Sequence, residues 1–97
     1  MCGIIGISSN KSVSASIINS LKKLEYRGYD SAGIATLSEG FINEVKSEGR
    51  VDNLEKNFDL HNLSGNIGIG HVRWATHGVP NSINAHPHSS HNVSVVH

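Results

Sequence analysis

A one-sided apolar stripe between residues 13 and 24 constrains the fold more than any other feature of this sequence. Val13, Ile17, Leu21 and Leu24 recur at intervals of four, four and three, and Ile18 widens the band. That spacing predicts an amphipathic helix over roughly fifteen residues, which must bury its stripe against another layer. Ser12 is placed to cap its start, Lys22 and Lys23 suit the negative end of its dipole, and Gly28 offers a left-handed residue to end it. The segment before it, Cys2 to Ile7, reads as a buried strand: it holds three isoleucines, and Gly3 and Gly6 admit close backbone approach.

The remaining elements alternate in the same way. Ala32–Leu37 and Phe41–Lys46 predict a hairpin closed by a three-residue loop, Ser38-Glu39-Gly40, with glycine where φ is positive. Val51, Leu54 and Phe58 predict a shorter helix, closed by the polar stretch 59–66. Ile67–Trp74 and Asn92–His97 read as two further strands, separated by a loop rich in Thr, His, Gly, Pro and Asn. Mixed strands and helices in this order predict a layered α+β or α/β domain, and 97 residues allow at most one, with a thin core. The chain ends at His97 inside a strand-like run, so we expect a fragment of a longer domain.

Composition excludes several function classes. Eight basic and eight acidic side chains cancel, and Lys22-Lys23 is the longest basic run, which predicts no nucleic-acid or membrane partner. No apolar stretch is long enough to span a bilayer, and no basic-then-apolar leader opens the chain. A single cysteine builds no internal disulfide, so the expected compartment is the cytoplasm.

Three stretches carry potential chemistry. Cys2 follows a methionine that is removable beside small residues; its loss would put a thiol and a free α-amine on one residue. An ordinary thiol is only a few per cent ionised at neutral pH and needs a base, and an α-amine titrating near 7.7–8.0 is one. The plain alternative is a small buried hydrophobe. Arg27-Gly28-Tyr29-Asp30-Ser31-Ala32-Gly33, taken alone, reads as a helix end and an Asp/Ser turn. His71–Gly78 followed by Asn84-Ala85-His86-Pro87-His88 places Arg73 at a strand end, suited to clamping a carboxylate through two parallel hydrogen bonds. Trp74 offers a pocket wall, and Thr76 and His77 offer polar groups that orient a small substrate. His86, His88 and His91 leave a metal site as the alternative, disfavoured because structural zinc sites are thiolate-rich and catalytic ones are more widely framed. Gly65-Asn66-Ile67-Gly68-Ile69-Gly70 has the wrong glycine order for a dinucleotide loop.

Taken together, Met1–Gly6, Leu24–Gly33, His71–Gly78 and Asn84–His88 resemble the class II glutamine amidotransferase domain. Glu25–Gly33 and Arg73–Gly78 favour the branch that aminates fructose 6-phosphate over the purine and asparagine branches. The resemblance implies a four-layer αββα N-terminal-nucleophile hydrolase sandwich, of which residues 1–97 are the N-terminal part, without the sugar isomerase domains. It implies Cys2 as the nucleophile that attacks the glutamine side-chain amide, with its α-amine shuttling the proton. Arg73 would hold the glutamine α-carboxylate, Trp74, Thr76 and His77 would line the pocket, His86 would fall on a pocket-side loop, and Arg27 would support the nucleophile's strand. Glutamine is the implied substrate, with no cofactor and no metal. Fructose 6-phosphate would be reached through domains outside this chain, and the full-length relatives are oligomeric. Family members continue past the position of His97 into an Asn-Gly that forms the oxyanion hole, and an Asp further on binds the glutamine amine. The expectation is therefore a glutaminase portion that is inactive alone; the rival is a non-catalytic product of a truncated or split gene, or an interaction fragment that complements a separately encoded remainder.

Overall fold

The computed structural model describes residues 1–60 and 63–97. Their architecture is α+β: a helical layer, a four-stranded antiparallel sheet, and a short hairpin on the sheet's other face. The strands are β1 (Gly3–Ser8), β2 (Ser31–Ser38), β3 (Phe41–Glu48) and β4 (Ile67–Arg73), in the spatial order β1-β4-β2-β3. The hairpin is β5 (His88–Ser89) with β6 (Ser94–Val95). Helix α1 (Ser14–Leu24) runs into a 3-10 turn at Glu25–Arg27, and α2 is Val51–Asn57.

The apolar stripe goes where its spacing sends it. Ile17 and Leu21 of α1 are fully buried, as are Val51 and Leu54 of α2, against Ile34 and Val72 of the sheet. Each such side chain contributes about 1.5–3 kcal/mol of transfer free energy. Strand pairing puts Gly3, Val72 and Ala32 abreast on this helix-covered face. Alternation then sends Ile4, His71 and Gly33 to the opposite face, which meets the segment leading to β5.

Four local expectations change. Ser12 does not cap α1; the N-cap is Val13, with no side-chain cap bond, and the Val13 N–H donates instead to the Gly65 carbonyl at 3.0 Å. A tertiary backbone bond replaces the local cap. The first strand is half-buried rather than buried, because β1 is an edge strand: Ile5 and Ile7 pack on the core while Ile4 is 56% exposed. The hairpin loop has two residues, not three, since Ser38 pairs with Phe41; Glu39 and Gly40 both take positive φ, 52° and 80°, the turn whose twist matches the strands. Phe58 lies just past α2 and is 37% exposed. In the polar stretch 59–66, residues 61 and 62 lie outside the described residues.

Candidate active site

Cys2 is delivered to the end of the sheet by β1. Gly3 pairs with Val72, so the residue before it stands level with the end of β4. There the Trp74 N–H donates to Cys2 Sγ at 3.4 Å, and the thiol lies 3.7 Å from the Trp74 carbonyl oxygen. Arg27 Nε donates to the Cys2 carbonyl at 2.9 Å, and its Nη2 lies 3.8 Å from Met1 Sδ. Residues from three distant stretches thus meet at one residue: Trp74 at the Cys2 thiol and Arg27 at its carbonyl. The cleft around it is lined by Met1, Cys2, Ile4, Arg27, Trp74, Thr76 and His97.

The segment 28–30 sets this junction. Gly28 is not left-handed; its φ of 176° and ψ of 139° are extended backbone. Glycine is needed there for a different reason: a Cβ would fall 2.5 Å from the Arg73 carbonyl carbon and 2.6 Å from the Trp74 nitrogen. Asp30 then brackets Trp74. Its N–H donates to the Arg73 carbonyl at 3.0 Å, and its carboxylate accepts the Ala75 N–H at 2.5 Å. A capping-and-turn reading misses this role, because the partners lie some 45 residues downstream. The sequence signal was the small residue two positions before an aspartate, which is equally compatible with an ordinary turn.

Arg73 is 8% exposed, and its guanidinium is turned onto its own loop. Nη1 donates to the Val79 carbonyl at 3.2 Å, and Nη2 donates to the His77 carbonyl. The main chain of the 74–79 loop is therefore folded over the arginine. Thr76 reaches the Cys2 cleft, whereas Arg73, His77 and His86 lie outside its lining. His86 sits deeper, on the sheet face. Its ring stacks on His71 with centroids 4.3 Å apart and meets His88 at 4.4 Å. Its carbonyl seats directly over Gly33, where any side chain would collide with it.

This imidazole stack is electrostatically tense. Burial first, then neighbouring His71, His88, Arg73 and His97, lower the His86 pKa to about 4. Burial also lowers His71, opposed by its 2.7 Å hydrogen bond to the His97 carbonyl. The Nδ1 atoms of both rings are buried without a hydrogen-bond partner among the described residues. His71, the post for this stack, opens the His71–Gly78 stretch, but the sequence assigns it no role beyond its place in a strand. It is also His71, not His91, that joins His86 and His88. Among the described residues no group of three or more His, Cys, Asp or Glu side chains is arranged to hold a metal ion.

The chain is similar to known proteins over its whole length. No family model matches it. It is 56% identical over 99 residues to the glutamine–fructose-6-phosphate aminotransferase [isomerizing] of Clostridium acetobutylicum, covering 100% of this chain and 16% of that protein. It is 55% identical over 97 residues to the enzyme of the same name from Mesorhizobium japonicum, with the same coverage. The chain thus spans 16% of the length of these curated relatives. Among solved structures, the glutamine phosphoribosylpyrophosphate amidotransferase of B. subtilis superposes with a TM-score of 0.80 at 27% identity, covering 97% of this chain and 20% of that one. Sequence and fold together place the chain among the class II glutamine amidotransferases, corresponding to the N-terminal region of the glutamine–fructose-6-phosphate aminotransferases.

Proposed function

We propose that this chain is the nucleophile-bearing part of a glutaminase that supplies ammonia for amination of fructose 6-phosphate. The observation that carries the reading is the convergence at Cys2: Arg27 holds its carbonyl at 2.9 Å while the Trp74 amide donates to its sulfur at 3.4 Å. Removal of Met1 frees the α-amine, which takes the thiol proton as sulfur attacks the side-chain amide carbon of glutamine. Collapse of the tetrahedral adduct breaks the C–N bond; the amine returns the proton to the departing nitrogen, giving ammonia and a γ-glutamyl thioester. Water then cleaves the thioester to glutamate and restores the thiol.

Arg73 is the group for the glutamine α-carboxylate, reached by exchanging the His77 and Val79 carbonyls for a ligand carrying full charge. Trp74 and Thr76 wall the cleft, Arg27 fixes the strand that carries Cys2, and His77 and His86 act through the loop they belong to. Residues 1–97 then form the N-terminal part of a type-2 amidotransferase domain, working in the cytoplasm within an oligomeric enzyme whose remaining domains bind the sugar phosphate. No described helix is long and apolar enough to cross a membrane.

The test combines this chain with the C-terminal remainder of a relative. Intact mass should show loss of Met1, ammonia should appear from glutamine in the mixture, and a glutamine-mimicking electrophile should label Cys2. Labelling that survives Cys2→Ser, or ammonia release unaffected by it, refutes the assignment.

A further inference from the structure

An arch of a cation and two aromatic rings stands beside the Cys2 cleft. Arg50 precedes α2, and its guanidinium carbon lies 4.7 Å from the centroid of the Tyr29 ring. Tyr29 in turn meets Trp74 edge-on, with centroids 6.0 Å apart and planes at 89°. The arch is tied at both feet. The Gly49 N–H donates to the Asp30 carbonyl at 2.8 Å, which fixes the turn carrying Arg50 beside Tyr29. Arg50 Nη1 donates to Glu25 Oε2 at 2.8 Å, which sets the direction of the guanidinium.

We propose that Arg50 is a positioning residue for Trp74, acting through Tyr29 to hold the indole at the wall of the Cys2 cleft. Tyr29 is 44% exposed and Trp74 45% exposed, so neither ring is fixed by a core. Direction must come from the few contacts they make. A guanidinium over an exposed aromatic face favours the arranged state by roughly two- to fivefold, and an edge-to-face ring pair adds a comparable factor. The exposed ion pair to Glu25 adds little energy but orients the fork. Any effect on glutamine rests on the reading of Cys2 given above; the placement of the indole does not.

The chain contains one tryptophan and one cysteine, so two simple readouts report the two ends of the device. Acrylamide quenching measures access to Trp74, and alkylation by iodoacetamide measures access to Cys2. Arg50→Ala and Tyr29→Leu should each raise the Trp74 quenching constant by roughly 1.5- to twofold, within the rise that an indole already 45% exposed can show. Arg50→Lys and Tyr29→Phe, which keep a cation and a ring, should stay close to the unaltered chain, as should Lys56→Ala, which removes a charge from α2 away from the arch. Urea midpoints measured alongside separate positioning from stability. The proposal is overturned if Arg50→Ala leaves quenching unchanged, if Lys56→Ala matches it, or if quenching only tracks the loss in urea midpoint. It is equally overturned if Trp74 of the unaltered chain is already as accessible as in urea. Failure of the glutamine mimic to label Cys2, with these shifts intact, would sink the glutaminase reading and leave the arch standing.

Discussion

Gly28→Ala should be the most informative single substitution in this chain, because its effect is steric alone. At φ 176° and ψ 139° alanine has no backbone penalty to meet. Its Cβ would nevertheless lie 2.5 Å from the Arg73 carbonyl carbon, 2.6 Å from the Trp74 nitrogen and 2.7 Å from the Arg73 oxygen. All three are backbone atoms, and Asp30 clamps that backbone from both sides at 3.0 and 2.5 Å. Restoring a 3.4 Å contact requires the two segments to part by roughly 0.9 Å. Overpacking of this kind costs about 1–3 kcal/mol, which at about 1 kcal/mol per M of urea lowers the midpoint by about 1–3 M. The same separation pulls the Trp74 N–H off Cys2 Sγ, now 3.4 Å away, so iodoacetamide should alkylate Cys2 at a changed rate under conditions where the chain remains folded. Gly40→Ala is the control. Its Cβ meets nothing within 4 Å and only its φ of 80° is unfavourable, so it should cost about 1 kcal/mol and leave Cys2 alkylation unchanged. An unchanged urea midpoint and alkylation rate in Gly28→Ala would refute the argument that glycine is there for close approach.

Two further predictions concern the imidazole stack. Because the His86 pKa falls from 6.5 to about 4 on folding, the unfolded chain binds more protons between those values. Stability should therefore be fully present above about pH 6.5 and decline as pH drops toward 4, a trend readable from urea midpoints across that range; a flat profile would contradict it. Gly33→Ala should push the His86 carbonyl off the sheet and separate the His86 and His71 rings, so that NMR titration finds the His86 pKa raised toward 6.5; a pKa still near 4 would show that the ring stays in place without the glycine seat.

The helical layer was legible because its determinant is local. Val13, Ile17, Ile18 and Leu21 share one face by spacing alone, and all four are buried. The β2–β3 hairpin was legible for the same reason, since Gly40 declares a turn. What escaped is whatever depends on which backbone arrives from elsewhere. Ser12 looked like a cap, but the Gly65 carbonyl arrived to take the Val13 amide. Gly28 looked like a helix terminator, but the determinant was the Arg73–Trp74 peptide. His71 opens a stretch singled out for its chemistry, yet its role in supporting the stack with His86 depends on a segment that arrives from elsewhere.

Arg73 shows why composition and geometry must be argued together. Residue type and a strand-end position suggested a carboxylate clamp, whereas in the folded chain Arg73 is 8% exposed and its guanidinium donates to two carbonyls of its own loop. These are not rival descriptions. A neutral carbonyl satisfies the buried cation without neutralising it, whereas a carboxylate does both and forms bonds roughly twice as strong. In the proposed reaction the His77 and Val79 carbonyls therefore act as placeholders: they hold Arg73 in position and leave a bound carboxylate with the larger gain. On the proposed reading, glutamine binding and rearrangement of the 74–79 loop would be one event. The loop that must move begins at Trp74, the residue whose amide touches Cys2 Sγ and whose indole rests on Tyr29. In the proposed glutaminase, occupation of Arg73 would be coupled to the geometry at Cys2 through a single stretch of chain, with Asp30 and the proposed Arg50 arch holding the end that stays in place.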